Sequence, residues 1–338
     1  MPEPTTVPAW TTRRLSVSPI SAVAVTVHEL ESGRPGPNLL VLGGVHGDEV
    51  GGIVAAGRVA STPWPLLRGR ITVVPITHEA AYAADARVSP LDGGNLARSF
   101  PGALGGSPTE ELAWLVGHRL IASADALIDL HTSNAKTDMP LFVGCLDDGS
   151  PQAAEAVRLA RGFGMRLLWT HPALGPGRTL TVAQERGIPA LYVESPVGGV
   201  LEDAFVDAYV EGVRSVLEGL GLIEPATDTG ARPRPEPELW LHGNGDTDTF
   251  SSTRTAGLFD RSVALLDQVR RGQLVGRVLD PLGDVLEDVL APANGFVTTL
   301  QRSARVERGQ PVVAVTARRP PELGLPTDHF TSRTRSMR

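Results

Sequence analysis

The sequence predicts an α/β fold: a mostly parallel or mixed sheet flanked by helices, followed by a small C-terminal all-β domain. Three observations lead there. Strand and helix signals alternate from about residue 21 to residue 218, the pattern of a largely parallel sheet covered on both faces. Within that span Leu39-Leu40-Val41-Leu42 is an unbroken apolar run, as expected of a strand buried on both sides. After a proline-rich stretch at 224–238, the texture changes to short apolar runs every ~8–12 residues, punctuated by glycine and without helical period.

Each element has a local reason. Residues 21–28 alternate or run apolar and read as a strand, and a Gly/Pro-rich turn at 31–38 leads into the run at 39–42. Small and apolar residues from Val50 to Val59 suit a helix packed closely on the sheet, and Arg70 to Ile76 is the next strand. The passage at 77–107 is long, polar and glycine-rich, and loops of that length are usually functional or disordered. Ser107-Pro108-Thr109-Glu110 then starts a helix, with Ser107 as cap, Pro108 in the first turn and Glu110 three residues after the cap. Ala124 to Leu130 reads as a buried strand ending in Asp129-Leu130-His131. Signals alternate further through 139–144, 152–163, 166–169, 179–186 and 188–193, and a helix spans about 202–218. The expected organisation is a domain at 1–223, a linker at 224–238, a β domain at 239–317 and a disordered tail at 318–338.

Composition excludes several classes. Hydrophobic residues make up 41% and charged ones 20%, values of an ordinary folded protein. The net charge of −7, without a dense basic block in the folded part, argues against nucleic acid as a partner. Cys145 is the only cysteine, so neither an intrachain disulfide nor a cysteine-based zinc cluster can form. Met1 to Ser16 lacks the apolar core of a signal peptide and no apolar run approaches bilayer length, so no membrane association and a cytoplasmic location are expected.

The chemistry gathers after the apolar run. Gly43-Gly44 releases the chain into a turn, and His46 and Glu49 follow three positions apart, where open α/β sheets usually keep their sites. Imidazole plus carboxylate is a common start to a catalytic zinc site. A phosphate loop is excluded, because Ile53 and Val54 follow Gly52 where Lys and Ser/Thr would be needed; no dinucleotide fingerprint occurs either. His131 follows another buried strand and completes a two-His, one-carboxylate set that leaves a coordination position open. His28, His78, His118, His171, His242 and His329 read as structural histidines.

Four motifs now stand in order: His46-Gly47-Asp48-Glu49, the stretch Asp92-Gly93-Gly94-Asn95-Leu96-Ala97-Arg98-Ser99-Phe100-Pro101-Gly102, Asp129-Leu130-His131-Thr132, and Val193-Glu194. Together, over roughly residues 20–220, they resemble the succinylglutamate desuccinylase/aspartoacylase family, which is related to the zinc carboxypeptidases. The resemblance implies a carboxypeptidase-like fold and one Zn²⁺ per chain, held by His46, Glu49 and His131. It further implies Glu194 as general base, Arg87 as the donor that stabilises the oxyanion, and Arg98 as the grip on a substrate carboxylate. Asn95 and Arg178 are further candidate substrate-binding residues. Two positions depart from the family pattern. Ala97 replaces an asparagine and so deletes an amide donor beside the carboxylate pocket, and His78-Glu79 stands where Asn-Pro is common.

The C-terminal unit resembles the small domain appended to many bacterial members. Its turns at Ala291–Val297 and Val306–Gln310 also resemble those of lipoyl/biotinyl carriers. A carrier needs a lysine at its hairpin tip, and the only lysine of the chain is Lys136. The unit therefore reads as a structural or assembly module. The expected activity is that of a zinc-dependent amidohydrolase acting on a small N-acylated amine or amino acid. A carboxypeptidase acting on a short peptide or peptide conjugate is the alternative, and a non-catalytic binding module is a third reading. The expected partner is a small molecule, and a homo-oligomer is left open.

Overall fold

The computed structural model describes residues 8–18, 23–196, 198–225, 235–243 and 251–320. In chain order it begins with β1 (Thr11–Ser16), β2 (Ala24–Glu31), β3 (Asn38–Gly43), α1 (Val50–Ser61), β4 (Arg70–Val74), α2 (Glu79–Ala83), α3 (Pro108–Leu115) and β5 (Ala126–Leu130). It continues with β6 (Thr137–Asp138), β7 (Phe142–Leu146), α4 (Pro151–Gly162), β8 (Leu167–His171), α5 (Thr179–Glu185), β9 (Ala190–Glu194), α6 (Asp203–Gly219) and β10 (Leu239–His242).

Nine of these strands form one mixed sheet in the order β1-β2-β4-β3-β5-β9-β7-β8-β10. Pairing is antiparallel at β1–β2, β2–β4 and β7–β9 and parallel elsewhere. Both faces are covered, which is why β3 is apolar at every middle position. Leu39 and Val41 pack with α1, α4 and α6, whereas Leu40 and Leu42 pack with α3 and α5. The start of α3 carries the expected capping box: Ser107 Oγ accepts from Glu110 N, the Glu110 carboxylate accepts from Ser107 N, and Pro108 opens the helix.

Three details differ from the sequence expectation. β1, unread in the sequence, is an edge strand of mostly exposed polar residues (TTRRLS) bound only to β2, and an edge needs no apolar pattern. The passage 77–107 holds a short helix, α2, and a single turn at Leu96–Arg98. Leu239–His242 pairs parallel with β8 in the large sheet rather than with the strands that follow it. The linker and tail expected at 224–238 and 318–338 fall largely outside the described residues.

The remaining strands are β11 (Ser251–Ser252), β12 (Gly257–Arg261), β13 (Gln268–Val269), β14 (Leu274–Leu279), β15 (Val285–Leu290), β16 (Gly295–Gln301), β17 (Arg305–Val306) and β18 (Pro311–Thr316). They form two sheets, β11-β18-β16-β13 and β15-β14-β12-β17, around Phe259, Val275, Val278, Val297, Leu300 and Val313. The first sheet extends into the other half of the molecule. β6, a few residues beyond His131, pairs with β16 through Thr137↔Gln301 and Asp138↔Leu300. Asp138 also accepts from Arg302 Nε at 2.8 Å and Arg261 Nη1 at 3.1 Å.

Candidate active site

Two close backbone approaches place His46 and Glu49. Gly47 lies so near α2 that a Cβ there would sit 2.1 Å from the carbonyl carbon of Ala81. Gly52, in the first turn of α1, leaves room for the Leu130 carbonyl of β5, which a Cβ would meet at 2.2 Å. Helix α1 therefore lies directly against β5, and Glu49 at its start faces the end of that strand. β3 and β5 are parallel neighbours in register, Leu42↔Asp129 and Gly43↔Leu130, so His46 and His131 emerge from the same edge of the sheet. Beyond its strand, His131 stays tied to β9 by its amide, which donates to Val193 O at 2.9 Å. Tyr209 OH on α6 donates to His131 O at 2.6 Å.

The side chains converge. His46 Nδ1 lies 2.6 Å from Glu49 Oε1, and His131 Nδ1 lies 2.7 Å from Glu49 Oε2. One donor atom from each of His46, Glu49 and His131 falls within 4.8 Å of the others, and all three residues are buried. Arg87 Nη1 donates to Glu49 Oε1 at 2.8 Å from the loop before Asp92, and Thr132 N donates to Glu49 Oε2 at 3.2 Å.

The far nitrogens of both rings are also engaged. Asn95 Oδ1 accepts from Ala97 N at 3.0 Å and lies 3.1 Å from His46 Nε2. An acceptor there assigns the hydrogen to His46 Nε2. Asp129 Oδ2 lies 3.0 Å from His131 Nε2, which assigns that hydrogen in the same way. With the far nitrogens held in this way, Nδ1 of each ring is the atom turned to Glu49, and it offers a lone pair to a metal once its own proton has left. A borderline-soft divalent ion such as zinc takes two such nitrogens and a carboxylate readily, so the donor set fits it.

Burial alone would raise the Glu49 pKa, but His46 and His131 outweigh it and hold the carboxyl well below its ordinary value. Burial opposes charge on His131, yet Asp129 and Glu49 on its two sides pull its pKa well above the ordinary value. The pocket is thus built to hold positive charge between carboxylates. Glu194, at the end of β9, is the exception. Burial and then the Glu49 charge push its pKa up to about 8, and its Oε2 is buried without a hydrogen-bond partner.

The other candidate residues are placed as follows. Arg98 closes the turn at Leu96–Arg98, and its Nη1 donates to Ala97 O at 3.0 Å. Arg178 precedes α5 and donates to Pro176 O at 3.3 Å. Their segments touch: Phe100 N donates to Gly177 O at 3.1 Å, and Gly177, at φ +80°, lies against the Arg98 backbone. His78 is a buried helix cap whose Nδ1 accepts from Ala81 N at 3.3 Å, and His171 is buried against Tyr192. Sequence reasoning placed Asp129 and Thr132 in a motif without giving them a role, and did not single out Thr179 or Tyr209. For Asp129 a signal existed, since a residue two before His131 on a strand faces the same side.

At the strand ends of this mixed sheet two histidines, the buried Glu49 and an arginine converge, with Glu194 at the end of β9. The catalytic-domain model of succinylglutamate desuccinylases and aspartoacylases matches residues 35–220. The chain belongs to the succinylglutamate desuccinylase/aspartoacylase family. It is 31% identical over 299 residues to N-alpha-acetyl-L-2,4-diaminobutyric acid deacetylase of Halomonas elongata, covering 87% of this chain and 86% of that protein. The product-bound ectoine utilization protein EutE (DoeB) of Ruegeria pomeroyi is similar at a TM-score of 0.78 and 25% identity, covering 92% of this chain and 94% of that one. A succinylglutamate desuccinylase/aspartoacylase of Rhodobacter sphaeroides shares the fold at a TM-score of 0.79 and 24% identity, covering 92% of this chain and 96% of that one. The family and fold inferred from the four motifs are those found. No helix among the described residues is long and apolar enough to cross a membrane.

Proposed function

We propose that this chain is a zinc-dependent amidohydrolase that removes the acyl group from a small N-acylated amino acid, leaving a carboxylate and a free amine. The observation that carries the proposal is the convergence of His46, Glu49 and His131 donor atoms within 4.8 Å, together with Glu194, whose Oε2 is buried without a hydrogen-bond partner. His46 and His131 would hold the ion through Nδ1, and Glu49 through its carboxylate. Bound there, zinc would supply Lewis acidity and bring the pKa of water from ~15.7 towards ~7.

The chain's own residues supply the rest. Asn95 and Asp129 keep hydrogens on the far nitrogens, so that both rings face inward in one tautomer. Glu194 takes a proton from the attacking water and delivers it to the leaving amine. A pKa raised by burial suits a carboxylate that must both accept and release a proton near neutrality. Arg87, already beside Glu49, faces the charge that develops on the acyl oxygen. Arg98 offers the planar fork for the substrate carboxylate, without an amide donor beside it because Ala97 stands there.

The Halomonas elongata relative, named for the deacetylation of a diamino acid, makes N-acetylated diamino acids the first substrates to assay. Purified protein is expected to carry one zinc per chain and to hydrolyse such substrates. Glu194→Gln should keep the zinc while turnover falls ~10²–10⁴-fold. Protein free of zinc, or active only on C-terminally varied dipeptides, would overturn the proposal.

A further inference from the structure

Asp129 bears on the zinc reading through a residue fifty positions further along the chain. Thr179 Oγ1 donates to Asp129 Oδ2 at 2.5 Å, the same oxygen that faces His131 Nε2 at 3.0 Å. Asp129 Oδ1 is buried and has no hydrogen-bond partner. The angle at which the carboxylate meets the imidazole is therefore set at one oxygen, by two donors. One of them is the histidine itself; the other, among the described residues, is Thr179. All three side chains are buried, Asp129 at 1% and Thr179 at 3% exposure, so water cannot easily replace a missing hydroxyl.

Thr179 is also well placed to be fixed. It is the first residue of α5, directly after the loop that ends in Arg178. That loop is docked on the Arg98 segment through the Gly177 contacts described above. The Oγ1–Oδ2–Nε2 chain thus runs from the segment of Arg178, docked on that of Arg98, to a metal-site histidine.

We propose that Thr179 is a positioning residue for the metal site: its hydroxyl orients Asp129, and Asp129 holds His131 with Nδ1 turned inward. The proposal rests on the zinc reading and extends it to a residue that touches neither the ion nor the substrate. Outer residues that orient a metal-binding histidine typically contribute ~10–100-fold to affinity. Thr179→Val keeps the shape and removes the donor, whereas Thr179→Ser keeps the donor.

The test is zinc affinity by competition with a chromophoric chelator, with thermal unfolding of the metal-free proteins as the measure of folding. Thr179→Val should bind zinc about ten-fold more weakly, with little change in metal-free unfolding, and Thr179→Ser should lie within about two-fold of the parent. In an Asp129→Asn background, Thr179→Val should add almost nothing, because the two act through one contact. Thr179→Val affinity equal to the parent, a Thr179→Ser loss as large as that of Val, or fully additive losses with Asp129→Asn would overturn the role. If Thr179→Val does not fold, Thr179→Ala carries the same expectation. Failure of the parent chain to bind zinc would overturn the hydrolase reading as well, and so is separable from failure of Thr179 alone.

Discussion

Gly52→Ala should damage the site through a single methyl group. The added Cβ would lie 2.2 Å from the Leu130 carbonyl oxygen and 2.8 Å from its carbon, both backbone atoms that no side-chain rotation can move. Reaching a tolerable C···O contact of ~3.3 Å requires α1 and β5 to separate by about 1 Å. Glu49 caps the start of that helix and His131 directly follows that strand, so the 2.7 Å approach of Glu49 Oε2 to His131 Nδ1 opens with them. A misplacement of ~1 Å in a catalytic array can cost ~10² in rate, and the overpacking itself costs about 1–3 kcal/mol. Gly57, in the same helix, provides the control, because nothing lies within 4 Å of its Cβ position. Gly57→Ala should leave kcat/KM unchanged and stabilise the protein by ~0.4–1 kcal/mol. The measurements are kcat/KM, zinc affinity and urea midpoints for both variants. Gly52→Ala with zinc affinity and kcat/KM like the parent would refute the idea that backbone contact between α1 and β5 sets the ligand spacing.

Arg87→Ala should lower kcat by ~10²–10³ with a smaller change in KM, as expected for a donor used mainly in the transition state. An effect confined to KM would move Arg87 to substrate binding. His171 makes a prediction about pH. Burial pushes its pKa down from 6.5 to about 4, and the neutral ring lies 3.0 Å from Gly243 O and 2.8 Å from Tyr192 OH. Below the unfolded value the unfolded chain gains a proton that the folded one refuses. Stability is therefore intact above pH 6.5 and is lost as pH falls towards 4, by about 3 kcal/mol in full and about 2 kcal/mol at pH ~5. His171→Gln should flatten that dependence in urea titrations, and an unchanged pH slope would overturn the assignment.

How much was legible in the sequence depends on how local each cause is. Leu39–Leu42 announced a strand buried on both faces because neither face meets water. Ser107-Pro108-Thr109-Glu110 announced a helix start because the capping box is written in four consecutive residues. β1 was invisible because an edge strand needs only backbone partners, and α2 because five residues carry too little periodicity. Leu239–His242 resembles the β strands after it, and only the tertiary structure reveals that it pairs with β8. The site divides along the same line. His46, Glu49 and His131 stood out as metal-binding residue types at strand ends. Asn95 reads as a substrate contact in sequence, while in the structure its carbonyl meets His46 Nε2. Thr179 could not be read at all, since a hydroxyl fifty residues from its carboxylate leaves no pattern along the chain.

The short strand at Thr137–Asp138 makes the β unit less portable than its own core suggests. The polypeptide leaving His131 enters a foreign sheet within six residues, and there Asp138 is fastened by guanidinium groups from far downstream. Exchange of this unit between related enzymes would therefore have to preserve the rim formed by Leu300, Gln301 and Arg302. A graft without that rim would leave the peptide behind the second imidazole without its strand partner.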